Sequence, residues 1–329
     1  MKPRYQGLAK APFDGTHFAN LTGPAAKGLW EVFKWKIQGT AKPWPKWVEN
    51  EASPLLPSSL EVGQVAATFV NHATMLLQFR GLNVITDPVF SDRLSPVSFA
   101  GPKRIRRPGL EFAQLPKIDV VVVSHNHYDH LDIVSIRKLH DKFQPMFLVG
   151  LGDGRILEKI PGIRFQELDW WQTHDVLGAK FTYLPAQHWS ARGPYDRNLS
   201  LWGSFIVEAQ GCHVYFAGDT GYSHHFQLIA QKFPKIDLAL LPIGAYEPRW
   251  FMKESHMNPA DAVQAHQDLR AHRSVAIHFG TWQLTDEALH EPPQHLAEAL
   301  VAAKVPQDHF WVLKEGETRQ LQVPPKAGT

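Results

Sequence analysis

Apolar positions along the chain change their period several times, and each change marks an element. Over Leu29–Gln38 they recur at helical spacing. Leu29, Trp30, Val32, Phe33 and Ile37 share one arc, Glu31, Lys34 and Gln38 lie opposite, and Lys36 falls within the arc. This predicts a short amphipathic helix. From Gly63 the period shortens to that of strands at Gln64–Asn71, 75–79 and 83–87, with Arg80-Gly81 as the turn between the last two. The run IDVVVV, 118–123, is apolar without alternation, the pattern of a strand covered on both faces. Further strands are predicted at 146–149, Arg164–Leu168, 180–185, 274–279 and 309–313. Helices are predicted at 133–141, 153–160, 223–232, 259–270 and 293–303, the first of them capped by Asp132.

The order of these elements carries a second pattern. PKIDLALLP (234–242) echoes PKIDVVVVS (116–124), and YFAGDT (215–220) echoes NVITDP (83–88). Each echo puts an apolar strand ahead of a polar tip, which predicts two similar sheet-bearing halves. Strands broken by occasional helices then predict two packed sheets flanked by helices, an α/β fold with αββα layering. Residues 1–62 are rich in Pro, Lys and Trp and read as an N-terminal extension with the amphipathic helix. Residues 63–329 show no linker-like shift and read as one domain.

Composition narrows the class. Among 329 residues, 44% are hydrophobic, enough for a large core, and the formal net charge of +2 argues against a dedicated nucleic-acid binder. The single cysteine, Cys212, excludes an internal disulfide. The start MKPRYQGLAKAPFDG lacks an apolar leader, and no run approaches the ~18 apolar residues of a membrane span. The reading is a cytoplasmic protein, or one held peripherally at a membrane.

Eighteen histidines direct attention to metal chemistry. SHNHYDHLD (124–132) packs His125, His127, Asp129 and His130 directly behind the apolar run. Imidazole and carboxylate are ordinary ligands of zinc and its neighbours. Three later strand ends repeat the arrangement: AQHW delivers His188, FAGDTGY delivers Asp219, and AIHFGT delivers His278. A lone strand-end histidine is more often a hydrogen-bonded structural residue, but seven donors together suffice for two metal ions. Asp87 ends the third predicted strand. The loop GPKRIRRPG (101–109) gathers four cations and reads as a solvated surface or an anion-gathering loop, and His224 and His225 read as exposed helix residues.

The order HxHxDH, His, Asp, His resembles the metallo-β-lactamase superfamily, whose fold is the αββα sandwich. The longer strings LDWW, LWGSF, FAGDTGY, LPIGAYEPRWFMK and EPP are similar to N-acylphosphatidylethanolamine-hydrolysing phospholipase D and its RomA-like bacterial relatives. The resemblance implies that His125, His127 and His188 hold one divalent ion, that Asp129, His130 and His278 hold another, and that Asp219 bridges them. It places Asp87 behind the ligands, His72 near the site, and His256 as a further active-site histidine. The implied reaction is attack of an activated water on phosphorus, with Asp129 and Asp219 orienting it and His256 or a metal-bound water protonating the leaving alkoxide. Zinc is the default metal, and the same donors accept iron or manganese. The implied partners are a phospholipid and a second copy of the chain as a homodimer; nucleic acid is not among them. The amphipathic helix itself reads either as docked on the main body or as laying Trp30 and Phe33 against a membrane surface. The alternative is a metal-dependent hydrolase of another ester, a lactone or a soluble phosphodiester, on the same scaffold.

Overall fold

A meander of three antiparallel strands, β1 (Gln64–Asn71), β2 (Thr74–Phe79) and β3 (Leu82–Thr86), opens the main body. Three parallel strands extend it: β4 (Val120–Val122), β5 (Met146–Gly150) and β6 (Arg164–Leu168). The chain then crosses to a second sheet. There β7 (Thr173–Val176), β8 (Ala179–Leu184), β9 (Ser204–Ala209) and β10 (Cys212–Phe216) pair antiparallel. To β10 are added, in parallel, β11 (Ile236–Pro242), β12 (Ala271–Ile277) and β13 (Phe310–Trp311). A last strand, β14 (Thr318–Gln322), returns to the first sheet beside β1, so among the described residues each sheet has seven strands. This computed structural model describes residues 10–23, 27–51, 54–97 and 99–323.

The two sequence echoes occupy equivalent places. NVITDP and PKIDVVVVS supply the parallel pair β3–β4, and YFAGDT and PKIDLALLP supply the parallel pair β10–β11. Each half is antiparallel at its start and parallel at its end, and the crevice lies where the carboxyl ends of both parallel pairs converge.

Burial explains the unbroken run at β4. Val120 and Val122 face Phe205, Val207 and Val214 between the sheets, while Val121 and Val123 face the outer helices. At roughly 1.5–3 kcal/mol per buried side chain, either face is a strong constraint on register. The outer face of the first sheet is covered by α2 (Ile133–Phe143), through Ile136 and Leu139, and by the short α3 (Gly154–Leu157). The second sheet is covered by α4 (His225–Lys232), α6 (Pro259–Asp268) and α7 (Glu291–Ala302). A single turn, α5 (Arg249–Met252), precedes α6. These layers are helices, sheet, sheet, helices.

Before the meander lies α1 (Leu29–Gln38), at the predicted position. It docks through Trp35, whose Nε1 donates to Asp286 Oδ1 (2.9 Å) and whose ring lies 5.1 Å from that of Phe251. The side chains of Leu29 and Lys36 lie outside the described residues, as do residues 1–9 and 324–329. Ala11 and Phe18 are buried in the core between the sheets. The basic loop is largely used inside the protein: Arg104 is buried under Trp282 and donates to the carbonyls of Val89 and Ser91, and Arg106 pairs with Glu315. Among the described residues, no helix is long and apolar enough to cross a membrane.

Candidate metal centre

The loop after β4 starts with Ser124, and Asp87, just past β3, fixes it. The fully buried Asp87 carboxylate accepts from Ser124 N (2.7 Å), Ser124 Oγ (2.5 Å) and His130 Nδ1 (2.5 Å). A carboxylate can only accept here, so Nδ1 of His130 carries the proton and Nε2 faces the crevice. The loop closes on itself through His130 N and Leu131 N, both donating to His127 O. Asp132 then caps α2, accepting from Val134 N, Ser91 Oγ and Ser135 Oγ.

Later strand ends bring the remaining donors. His188 donates from Nδ1 to Ser255 O (2.9 Å), which turns its Nε2 toward His127 Nδ1, 3.3 Å away. His125 Nε2 lies 2.8 Å from the same His127 nitrogen. Asp219 follows β10 on a turn in which Gly218 has φ 59°; a Cβ there would stand 2.4 Å from Ser124 Cβ, so only glycine lets the two loops touch. Its Oδ2 lies 3.1 Å from His130 Nε2 and 3.9 Å from His188 Nε2, and its Oδ1 lies 3.0 Å from His278 Nε2. Asp129 Oδ2 stands 3.5 Å from both His130 Nε2 and His278 Nε2, and 3.2 Å from His72 Nε2.

All seven predicted donors therefore meet in one place, with Asp219 between two groups. One group of mutually close ligand atoms comes from His125, His127 and His188; another comes from Asp129, His130 and His278 joined by His72. His256 reaches the same place, its Nδ1 3.8 Å from Asp219 Oδ2. His72 packs its ring 3.9 Å from that of His278. Trp30 and Phe33 are 71% and 54% exposed and are not among the residues that meet in this cluster.

The donor set fits divalent cations. His130 Nε2, His278 Nε2 and Asp219 Oδ1 are buried and turned toward one another and toward Asp129 at 3.0–3.5 Å, with no hydrogen-bond partner outside this cluster among the described residues. Burial drives the imidazoles of His125 and His188 well below their ordinary range and lowers those of His127 and His256 to about 4, so these rings are neutral. Burial opposes ionisation of Asp129 and Asp219 too, but the facing histidines, His130 foremost, hold both carboxyls well below the usual range. Neutral imidazole and carboxylate are the protonation states that bind metal. His130 and His278 differ: despite burial, the carboxylates around them, Asp219 first, push His130 well up and His278 up to about 9.

Several supporting groups escaped sequence reasoning. Ser124 stood next to the motif and was within reach of it. The Ser255 carbonyl and Asn20 had no local signal, because both act on His188 across the fold. His225 is buried against Phe226 with Ser223 Oγ on its Nδ1, not exposed as its neighbour pair suggested, because α4 turns that face onto the second sheet.

Comparison with known proteins places this centre in a class. A model of the β-lactamase superfamily domain matches residues 82–279. A solved metallo hydrolase from the archaeon Ignicoccus hospitalis superposes with a TM-score of 0.59 at 21% identity, over 79% of this chain and 100% of that one. The chain belongs to the β-lactamase superfamily and has the metallo-β-lactamase hydrolase fold. An N-acyl-phosphatidylethanolamine-hydrolyzing phospholipase D from Caenorhabditis elegans is 41% identical over 311 residues, 87% of this chain and 85% of the relative. The mitochondrial protein of that description from Saccharomyces cerevisiae is 36% identical over 253 residues, 73% of this chain and 54% of the relative. Within the superfamily the chain belongs with these phospholipase D proteins.

Proposed function

We propose that the protein is a binuclear metal-dependent phosphodiesterase of phospholipase D type, hydrolysing N-acylphosphatidylethanolamine to phosphatidic acid and N-acylethanolamine. The observation that supports it most is the convergence of seven His and Asp donors in a chain 41% identical to a relative named for that reaction. His125, His127 and His188 would hold one ion, Asp129, His130 and His278 the other, and Asp219 would serve both. Two divalent ions, zinc by default and iron or manganese on the same donors, would supply an acidified water and charge neutralisation at the phosphoryl oxygens.

The chain's own groups do the rest. Asp129 and Asp219 orient the water, and Asp219 takes its proton at Oδ2. His72 holds Asp129 Oδ2 from behind, and Asp87 holds His130. His256, its Nδ1 3.8 Å from Asp219 Oδ2, relays the water's proton to the leaving alkoxide; burial keeps its ring neutral, so it can accept the proton before giving it up. Helix α1 offers Trp30, Phe33 and Ile37 to the apolar side of a membrane surface, a peripheral contact. The proposal includes a homodimer, checked by light scattering of the purified chain.

The test couples metal content to product analysis. Native protein and Asp129→Asn are assayed for bound metal, then incubated with N-acylphosphatidylethanolamine vesicles, and the lipids are identified by mass spectrometry. Two metals per chain and phosphatidic acid from the native protein alone are expected. Full metal occupancy with intact lipid would overturn the substrate assignment and favour another ester.

A further inference from the structure

We infer that the N-terminal segment is a working part of the metal centre, with Asn20 as a positioning residue for His188. The inference rests on the reading of His188 as a metal ligand. It concerns a segment outside residues 82–279, where the superfamily match falls.

The side chain of Asn20 acts on His188 as a neighbouring strand would. Its Nδ2 donates to His188 O (2.8 Å), and its Oδ1 accepts from His188 N (3.0 Å). Both main-chain polar groups of this buried residue are thus satisfied by one amide. The amide's orientation is set independently, because Trp202 Nε1, which can only donate, also points at Oδ1 (2.9 Å). At the other end of the residue Ser255 O accepts from Nδ1. Main chain and ring are both fixed, so the direction of the Nε2 lone pair is fixed as well. His188 has two side-chain torsions, and a shift of its main chain moves Nε2 directly. Supporting partners of this kind typically change metal affinity 10–100-fold.

The segment is anchored apart from Asn20. Phe18 is buried between the sheets against Phe13, and its N–H donates to Asn198 O (2.9 Å). Gln187 adds a link on the other side, donating from Nε2 to Thr22 O (2.8 Å) while its own carbonyl accepts from Gly221 N, two residues past Asp219. The segment therefore touches the loop of His188 directly and reaches the loop of Asp219 through Gln187. Removing the Asn20 amide leaves these anchors in place and concentrates the effect on His188.

The test uses the full chain stripped of metal and titrated with zinc alone against a chromophoric chelator, with thermal melting of the metal-free forms alongside. Asn20→Ala is expected to weaken one of the two zinc ions about tenfold while the other and the metal-free melting temperature stay near native values. Phe18→Ala, which loosens the segment with Asn20 intact, is expected to weaken the same ion. Thr22→Ala, which loses only its own hydroxyl contact, is expected to bind as the native chain does. Native affinity for both ions in Asn20→Ala would overturn the inference, as would loss at both ions in step with a lowered melting temperature. Failure of the native chain to bind zinc would instead remove the metal-centre reading itself.

Discussion

His72, Asp87 and His278 adopt positive φ, at 47°, 33° and 62°, although none is glycine. Such a backbone costs of order 1–3 kcal/mol per residue and persists where the surroundings over-determine it. At Asp87 the surroundings are three hydrogen bonds into one carboxylate. Asp87→Asn would put an amide N–H2 or a single oxygen where three donors now converge. On the proposed assignment, zinc affinity at the ion that His130 would hold should then fall 10–100-fold, read by chelator competition; native affinity would show that Asp87 does not orient the ring. Protons test the same neighbourhood. The folded value of His278, about 9, lies above its ordinary 6.5, so its contribution to stability of the metal-free chain is complete below about 6.5 and is lost as pH rises through about 9. Metal-free protein is therefore expected to melt at lower temperature at pH 9 than at pH 6.5, while added zinc, which on the proposed assignment would displace that proton, is expected to bind more tightly over the same rise. Melting that climbs with pH in the chelated protein would contradict this. At this scale the sequence was most legible where donors crowd into one segment, as in 124–132. It was silent on Asn20, whose partner lies 168 positions away in the chain.

Elements were legible where burial follows a simple period. Helices α2, α4, α6 and α7 and the strands of the echoed pairs follow their apolar patterns closely. The predicted helix at 153–160 shrinks to one turn, Gly154–Leu157, and a short helix, Arg249–Met252, was not foreseen, because four residues hold no period. Strand β14 was missed for another reason: TRQLQ lies at a sheet edge with only Leu321 buried, so it shows no apolar signal. The connection between α5 and α6 is held by Arg249, which donates from Nη1 to His256 O (2.8 Å) and from Nη2 to Asp261 Oδ2 (2.7 Å). Asp261 in turn caps α6 reciprocally with Asn258. Arg249→Ala should cost about 1–3 kcal/mol in denaturant unfolding and reduce lipid turnover beyond that loss, since Ser255 O and His256 ride on this connection. Arg249→Lys supplies a point charge in place of a planar fork and should recover only part of the turnover. Full recovery by lysine would mean that charge, not the fork, holds the connection.

Over the whole molecule, α1 is fastened by its inner face and open on its outer one. Trp35 is buried, while Trp30, Phe33 and Ile37 are 71%, 54% and 68% exposed, with the rings of Trp30 and Phe33 5.6 Å apart. Replacing Trp30 and Phe33 together by alanine should reduce co-sedimentation with phospholipid vesicles and leave turnover of a short-chain soluble substrate unchanged. Equal loss on both would assign these residues to folding. The basic loop adds less to such a surface than its four cations promised, because Arg104 and Arg106 are spent internally, a fact that depends on Trp282 and Glu315 far along the chain.

The return of β14 to β1 has a consequence for how the chain is made. Val323 N donates to Gly63 O, so the two ends of the main body stand side by side. During synthesis β1 to β6 emerge early, but the outer edge of β1 keeps a row of free main-chain donors and acceptors until Thr318–Gln322 has followed. A nascent or truncated chain ending before Thr318 therefore carries an open template for a neighbour's strand. Shortening the protein from that end should show first as self-association.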